Sequence, residues 1–407
     1  MLLRTLRFLI TLFIFLFLGC QKSIPLKGMW AGTTTGAGNK QLPFQLFLDL
    51  QSAPPAGYFC NGYERTPIPE IQLRGDSLSL HFSEYGAAML GIWNGKEWRG
   101  GFFRYRSDTS RNEFIASPIE AAPTQATTLP IGISLVGKYQ AYIPGKDGVD
   151  STTIASFWIQ NDSLYGTLIA PDGDYGLFVG TQQGSTATLA RFTGWQAFVM
   201  ELELQETIWN GSLYARIGKP MQFRLVPRAS AVSSSAQEHL TTMKNPKAPF
   251  TFLGTTMSGQ LISSTDDRFK GKALLLDIMG TWCHNCMDAA PLLQQLYSEF
   301  GKDGIEVVGL AFEISDSPDL AKKNLSLFQQ RYGLTYPLIF CGSTQDANVE
   351  LKLRNQLDNF AGYPTTILVN NKGLVEKIHV GFKGPGTGEA YQEQVHQYYD
   401  AVKHLIN

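Results

Sequence analysis

Residues 273–300 constrain this chain more than any other stretch. Positions 273–278 form a near-continuous apolar run, broken only by Asp277, which is the pattern of a strand buried on both faces. Cys283-His284-Asn285-Cys286 follows, and then Met287, Ala290, Leu293, Leu296, Tyr297 and Phe300 recur at helical spacing. Two thiols therefore stand where a buried strand turns into a helix. Unpaired backbone N–H groups and the positive end of the helix dipole stabilise an anion there, so Cys283 is expected to be a low-pKa nucleophile. Cys286, one helical turn on, is placed to attack a mixed disulfide at Cys283 and release its partner.

A Cys-x-x-Cys pair is also half of many zinc sites, which need two further thiol or imidazole ligands. Cys20, Cys60 and Cys341 form no second close pair, and His284, between the two thiols, reaches a shared metal only with strained geometry. No metal and no cofactor beyond the Cys283–Cys286 couple is expected. Cys341 follows the strand-like segment 337–340 and reads as a buried thiol, and Cys60 has no evident partner.

The surrounding sequence alternates strands with helices. Residues 305–312 and 366–370 read as further strands. Ser317-Pro318-Asp319 supplies an N-cap, a first-turn proline and an acidic first turn for a helix to about Tyr332. A hairpin crosses Asn370-Asn371-Lys372-Gly373, and a last helix spans 388–405. This order suits an α/β layer with one sheet covered on both sides.

Trp282 before Cys283, Pro291 after Cys286, and Gly362-Tyr363-Pro364-Thr365-Thr366-Ile367-Leu368-Val369 together resemble thioredoxin, and more narrowly the extracytoplasmic thiol-disulfide reductases of the TlpA/ResA type, over 247–407. The resemblance implies a thioredoxin-like fold and a protein-disulfide oxidoreductase. It implies a cis peptide before Pro364, with the Tyr363 backbone beside Cys283, and Trp282, His284, Tyr363 and Pro364 as substrate-binding residues. It points to Asp277 or Glu313 as acceptor of the Cys286 proton, to disulfide-containing extracytoplasmic proteins as substrates, and to a membrane thiol donor of electrons. Direction stays open. The resemblance favours reduction, whereas a partly protonated His284 beside Cys283 would make the couple more oxidising than one with Gly-Pro between its cysteines. Peroxidases of the same fold family place Thr three residues before their reactive cysteine, where this chain has Gly280.

The preceding part is of another texture. Period-two runs alternate with turn dipeptides such as Asn94-Gly95, Asn161-Asp162 and Asn210-Gly211, so an all-β antiparallel region, barrel or sandwich, is expected. It reads as a degenerate duplication in which Gly28-Met29-Trp30 falls on Gly137-Lys138-Tyr139, Gly57 on Gly166, and Trp98 on Trp209. The expected domains are β repeat 1 at 28–118, a linker at 119–132, β repeat 2 at 133–227, a linker at 228–247, and the thioredoxin-like domain at 248–407. The β region is expected to be a spacer, or a cup that binds a ligand. If it is the functional module, the chain is instead an envelope ligand- or partner-binding protein.

Arg4 and Arg7 followed by an apolar run at 8–18 read as a signal segment, too short for a spanning helix. Phe17-Leu18-Gly19-Cys20 resembles a bacterial lipobox, which makes residues 1–20 a lipoprotein signal peptide and Cys20 the lipidated residue of a protein held in the cell envelope. Net charge is -1 with 17% charged residues, below the ~25% of ordinary soluble domains, so nucleic acid is not an expected partner.

Overall fold

A computed structural model describes residues 23–105, 110–119, 134–145, 148–215, 219–228 and 241–406. The expected signal segment with Cys20, and most of both expected linkers, lie outside them. No helix among the described residues is long and apolar enough to cross a membrane.

The first β unit is a nine-stranded antiparallel sheet. Its strands are β1 (Lys27–Thr35), β2 (Gln41–Asp49), β3 (Ala56–Asn61), β4 (Glu64–Pro67), β5 (Glu70–Arg74), β6 (Ser77–Phe82), β7 (Ala87–Trp93), β8 (Trp98–Arg104) and β9 (Ser110–Ile119), in the order β4-β3-β2-β1-β9-β8-β7-β6-β5. Local turn chemistry sets the hairpins. Asn94 Oδ1 accepts from the N–H groups of Lys96 and Glu97, at 3.0 and 2.8 Å, and closes β7 onto β8.

The second unit is a ten-stranded sheet, two of whose strands are the short pieces Gly148–Asp150 and Gly173–Asp174. The others are β10 (Gly137–Gly145), β11 (Ile154–Gln160), β12 (Ser163–Ala170), β13 (Phe178–Gln183), β14 (Thr186–Phe192), β15 (Ala197–Gln205), β16 (Ile208–Tyr214) and β17 (Met221–Pro227). These follow one another as an antiparallel meander, and pairing of β17 with β10 closes it into a barrel.

Both units run in the same order, with the first strand paired to the last. They differ at β4, a short strand that pairs with β3 while β5 pairs only with β6, so the first unit stays a half-barrel. The second unit completes its core. Phe192 lies 5.1 Å from both Phe44 and Phe59 and 5.2 Å from Phe102, and Ala190, Ala197 and Val199 join the same cluster. Fully buried Trp30, Trp98 and Phe59 fill the first interior, and Phe157, Phe178 and Leu189 fill the second, so neither is the open cup of a ligand carrier. The two units share one core, and both rest on the third.

The third unit is a seven-stranded sheet. Its strands are β18 (Leu253–Thr256), β19 (Leu261–Ser263), β20 (Ala273–Met279), β21 (Ile305–Glu313), β22 (Leu338–Ser343), β23 (Thr365–Val369) and β24 (Val375–Val380), in the order β19-β18-β22-β21-β20-β23-β24. The central strand β20 runs parallel to β21 and antiparallel to β23. Its side chains alternate faces, as the pleat requires. Ala273, Leu275 and Met279 join a core with α1 (His284–Phe300), α2 (Pro318–Tyr332) and α3 (Glu389–Ile406), while Leu274, Leu276 and Ile278 enter the core of the opposite face. Ser317 Oγ caps α2 through the Leu320 N–H at 3.4 Å. The unit begins earlier than composition suggests, inside the stretch read as a linker: Thr242–Met243 pairs with Leu357–Asp358, and the Thr241 hydroxyl donates to the Asn359 carbonyl at 2.9 Å. Small polar residues there hid a short antiparallel pair.

The β units dock on the face that carries the cysteines. Tyr85 and Trp195 stack with ring centroids 3.8 Å apart, pack against the core containing Cys283 and Cys286, and place the Tyr85 hydroxyl 3.2 Å from Met287 Sδ. Glu84 and Arg331 pair at 2.8 Å, both nearly buried.

Candidate active site: a buried dithiol

Cys283 and Cys286 are joined as a disulfide with Cα atoms 5.2 Å apart. Cys283 is the N-cap of α1, and its Sγ accepts from the Cys286 backbone N–H at 3.2 Å. An N-cap sulfur sits at the positive end of the helix and is already solvated by a backbone donor, which favours its thiolate once the bond is opened. Cys286 is fully buried, whereas Cys283 retains 6% of its surface. Only Cys283 is open to an incoming sulfur, and then only narrowly.

The approach to the cysteines is fixed from β21. Glu313 is buried and accepts from the Thr281 N–H at 2.9 Å and the Thr281 hydroxyl at 2.7 Å, with Asn324 Nδ2 at 3.5 Å. Next to it, the Phe312 carbonyl accepts from the Trp282 indole at 2.9 Å. A Cβ at Gly280 would lie 2.8 Å from that carbonyl and collide with the indole, so the threonine of a peroxidase does not fit this turn. Trp282 meets Tyr363 edge-on at 5.3 Å, and the Tyr363–Pro364 peptide is cis.

The two acids differ in what surrounds them. By strand alternation Asp277 faces the same layer as Leu275, Met279 and Cys286. Its Oδ1 has no hydrogen-bond partner among the described residues, and burial raises its carboxyl to about 7. Glu313 is also raised by burial, but hydrogen bonds from Thr281 and Asn324 oppose the shift and occupy its oxygens. Glu313 therefore holds the turn before Cys283, while Asp277 is a buried carboxyl without such hydrogen bonds.

His284 departs from expectation. Instead of standing as a partly protonated imidazole in solvent, it is turned into the second β unit, with Nε2 2.8 Å from Nη2 of the fully buried Arg191. Burial first, and then the guanidinium charge, depress it to about 3. A neutral ring brings no cation to Cys283, and the side chain keeps 8% of its surface. Arg191 is held in turn by both carboxylate oxygens of Glu64 on β4, at 2.7 and 2.8 Å. Burial raises Glu64, but the charge and hydrogen bonds of Arg191 outweigh it, and the carboxyl ends below its ordinary value. Asp174 accepts from the backbone N–H groups of Gly176 and Gly384, both at 2.6 Å, and burial lifts it to about 6. Asp288, with Oδ2 3.3 Å from His284 Nε2, is raised well above the carboxylate range by burial, Glu64 and Asp174.

Sequence reasoning missed this junction of all three units. Its one signal was Arg191 itself, a charged residue in the apolar alternation of 186–192. Elsewhere, burial pushes the Cys341 thiol up to about 12, and Cys60 is also raised by burial. No group of three or more potential ligands that could hold a metal ion occurs among the described residues.

A parallel pair of central strands, a dithiol at the N-cap of the helix that follows, and a cis-proline strand alongside define a thioredoxin-fold dithiol protein. Residues 245–378 match the AhpC/TSA family. The chain is 32% identical over 126 residues to the thioredoxin-like protein YneN of Bacillus subtilis (strain 168), covering 31% of this chain and 65% of that protein. It is 30% identical over 142 residues to the thiol-disulfide oxidoreductase ResA of Bacillus thuringiensis subsp. konkukian (strain 97-27), covering 35% and 71%. With ResA of Geobacillus thermodenitrificans (strain NG80-2) it shares 27% identity over 157 residues, covering 37% and 78%. The chain thus spans about two thirds to three quarters of these relatives' length, and it belongs to the thioredoxin-like thiol-disulfide oxidoreductases of the TlpA/ResA type.

Proposed function

We propose that the chain exchanges disulfides in extracytoplasmic proteins, as a reductase, from a lipid anchor on Cys20 in the cell envelope. The observation that carries this reading is the division of labour at the start of α1: Cys283 at the N-cap, slightly exposed and hydrogen-bonded at sulfur, and Cys286 behind it with no exposure.

In the reduced enzyme the Cys283 thiolate attacks one sulfur of the substrate disulfide. A Cys283–substrate bond forms, the substrate S–S bond breaks, and the leaving thiolate takes a proton from water. Cys286 then gives its proton to Asp277 and attacks Cys283 Sγ; the Cys283–substrate bond breaks, the second substrate sulfur leaves as a thiolate that takes a proton from water, and the Cys283–Cys286 disulfide remains. Two electrons have passed to the substrate, and a dithiol donor at the membrane returns them. Trp282 and the Tyr363–Pro364 segment form the remaining wall against which a substrate lies. A neutral His284 removes the main argument for an oxidising couple and supports the reductive direction.

The test is a trap: Cys286→Ala, expressed in the native envelope, accumulates mixed disulfides through Cys283 that a thiol reductant dissolves. If no partner is captured while the variant is folded and its Cys283 alkylates, disulfide exchange is not what this site does.

A further inference from the structure

We propose that Arg191, from the second β unit, is a positioning residue for this exchange: by holding His284 as its neutral Nδ1–H tautomer, it denies Cys283 a neighbouring imidazolium and keeps the dithiol couple reducing. The inference rests on the disulfide-exchange reading and assigns the β region a part in it.

A guanidinium has five N–H bonds, accepts nothing and stays charged. Around Arg191 there are five acceptor contacts: Nε to Gln196 Oε1 at 3.0 Å, Nη1 to Glu64 Oε2 at 2.8 Å and the Leu177 carbonyl at 3.1 Å, and Nη2 to Glu64 Oε1 at 2.7 Å and His284 Nε2 at 2.8 Å. Every donor is used, so Nε2 must present its lone pair. A proton on Nε2 would set two N–H groups against each other at 2.8 Å. The single proton of the imidazole therefore sits on Nδ1, which is buried without a partner among the described residues.

Among the described residues the counter-charge offered to the imidazole is the smaller influence: the Glu64 charge favours a second proton, but burial and the Arg191 charge outweigh it. Both oxygens of Glu64 are engaged by Arg191, and both oxygens of Asp174 accept backbone N–H groups, from Gly176 and Gly384. Asp288 lies 3.3 Å from Nε2, but burial and then the Glu64 and Asp174 charges raise its carboxyl well above its ordinary value and favour its uncharged form. Removing Arg191 takes away the positive charge that opposes a proton on Nε2 and the charge that kept buried Glu64 ionised, so a proton held by the Glu64 or Asp288 carboxyl can pass to the imidazole and leave an imidazolium–carboxylate pair one residue from Cys283. A cation there stabilises the thiolate, and a stabilised thiolate makes the couple more oxidising. Should the same substitution loosen the β unit, His284 regains its ordinary pKa near 6.5, and the shift has the same sign.

The test compares the full chain with Arg191→Met, His284→Gln and the double variant, reading the Cys283 alkylation rate against pH and the redox equilibrium with glutathione. Arg191→Met is expected to lower the Cys283 pKa by about one unit and to move the glutathione equilibrium severalfold toward the dithiol, more at pH 6 than at pH 8. In the His284→Gln background the same substitution should move neither. Wild-type values in Arg191→Met, or a shift that survives His284→Gln, overturn the inference. A second measurement needs no variant: nitrogen chemical shifts of His284 in the wild-type chain should report a neutral Nδ1–H ring throughout pH 5 to 8, and an Nε2–H ring or a midpoint near 6 overturns it too. Failure of the functional reading looks different: wild type is then inert toward disulfides. Failure of this inference appears in a wild-type chain that exchanges them.

Discussion

Gly173 of the second β unit lies flush against Asn285, between the two cysteines. Its φ is +135°, and a Cβ at that position would collide with Asn285 Nδ2 and come within 3.3 Å of the Phe382 carbonyl. Next to it, Asp174 Oδ2 accepts from the Gly384 N–H at 2.6 Å. A loop of the barrel is thus fitted onto the dithiol and onto the strand end beside it.

Gly173→Ala is expected to cost about 1–3 kcal/mol, from the left-handed backbone and the collision together, and to lift this loop from the dithiol. Alkylation of Cys283 in the reduced protein should speed up as the melting temperature falls. Gly184→Ala is the control, since φ is +62° there and nothing lies within 4 Å of the added carbon. It should show the backbone cost with unchanged alkylation, and equal alkylation in both variants would show that the loop does not guard Cys283.

Asp277→Asn should trade activity for stability. The carboxyl is ordinarily near 3.8 and burial raises it to about 7 in the fold. Between those values the folded chain keeps a proton that the unfolded chain has lost, so stability falls as pH rises through this window and stays low above it. The asparagine variant should be roughly 2–4 kcal/mol more stable than wild type at pH 8, with no advantage below pH 4, in urea titrations of the oxidised protein. The attack of Cys286 should slow by at least about tenfold. A variant with the wild-type stability profile would show that Asp277 ionises freely.

The buried Glu84–Arg331 pair is expected to behave as one unit. Glu84→Ala strands a guanidinium whose Nη1 has no hydrogen-bond partner among the described residues, at about 3–5 kcal/mol, whereas Glu84→Met with Arg331→Met should recover most of the loss. Thermal unfolding of the singles and the double checks this. A single variant within about 0.5 kcal/mol of wild type would mean that water already reaches the pair.

The sequence made the dithiol legible because its chemistry is local. An apolar strand, an N-cap cysteine and a helical stripe are neighbours along the chain, and α2 appears where Ser317-Pro318-Asp319 places its start. The doubled meander also shows, through residues that recur at the same step of each copy, such as Trp30 with Tyr139. What joins the units was not legible. Glu64, Arg191 and His284 lie far apart in sequence, each a lone polar residue with no spacing to betray it, and their partnership exists only once three units are docked. The surroundings of His284 stayed hidden for that reason, since they are set by burial under the docked units and by a residue 93 positions away.

Phe192 makes the first β unit dependent on the second. A copy that lends a ring to its sibling's interior is no longer self-sufficient, and the sibling that accepts it cannot be excised without leaving a hole. The first half is therefore expected to stand only with the second beside it, so the two form one cooperative block.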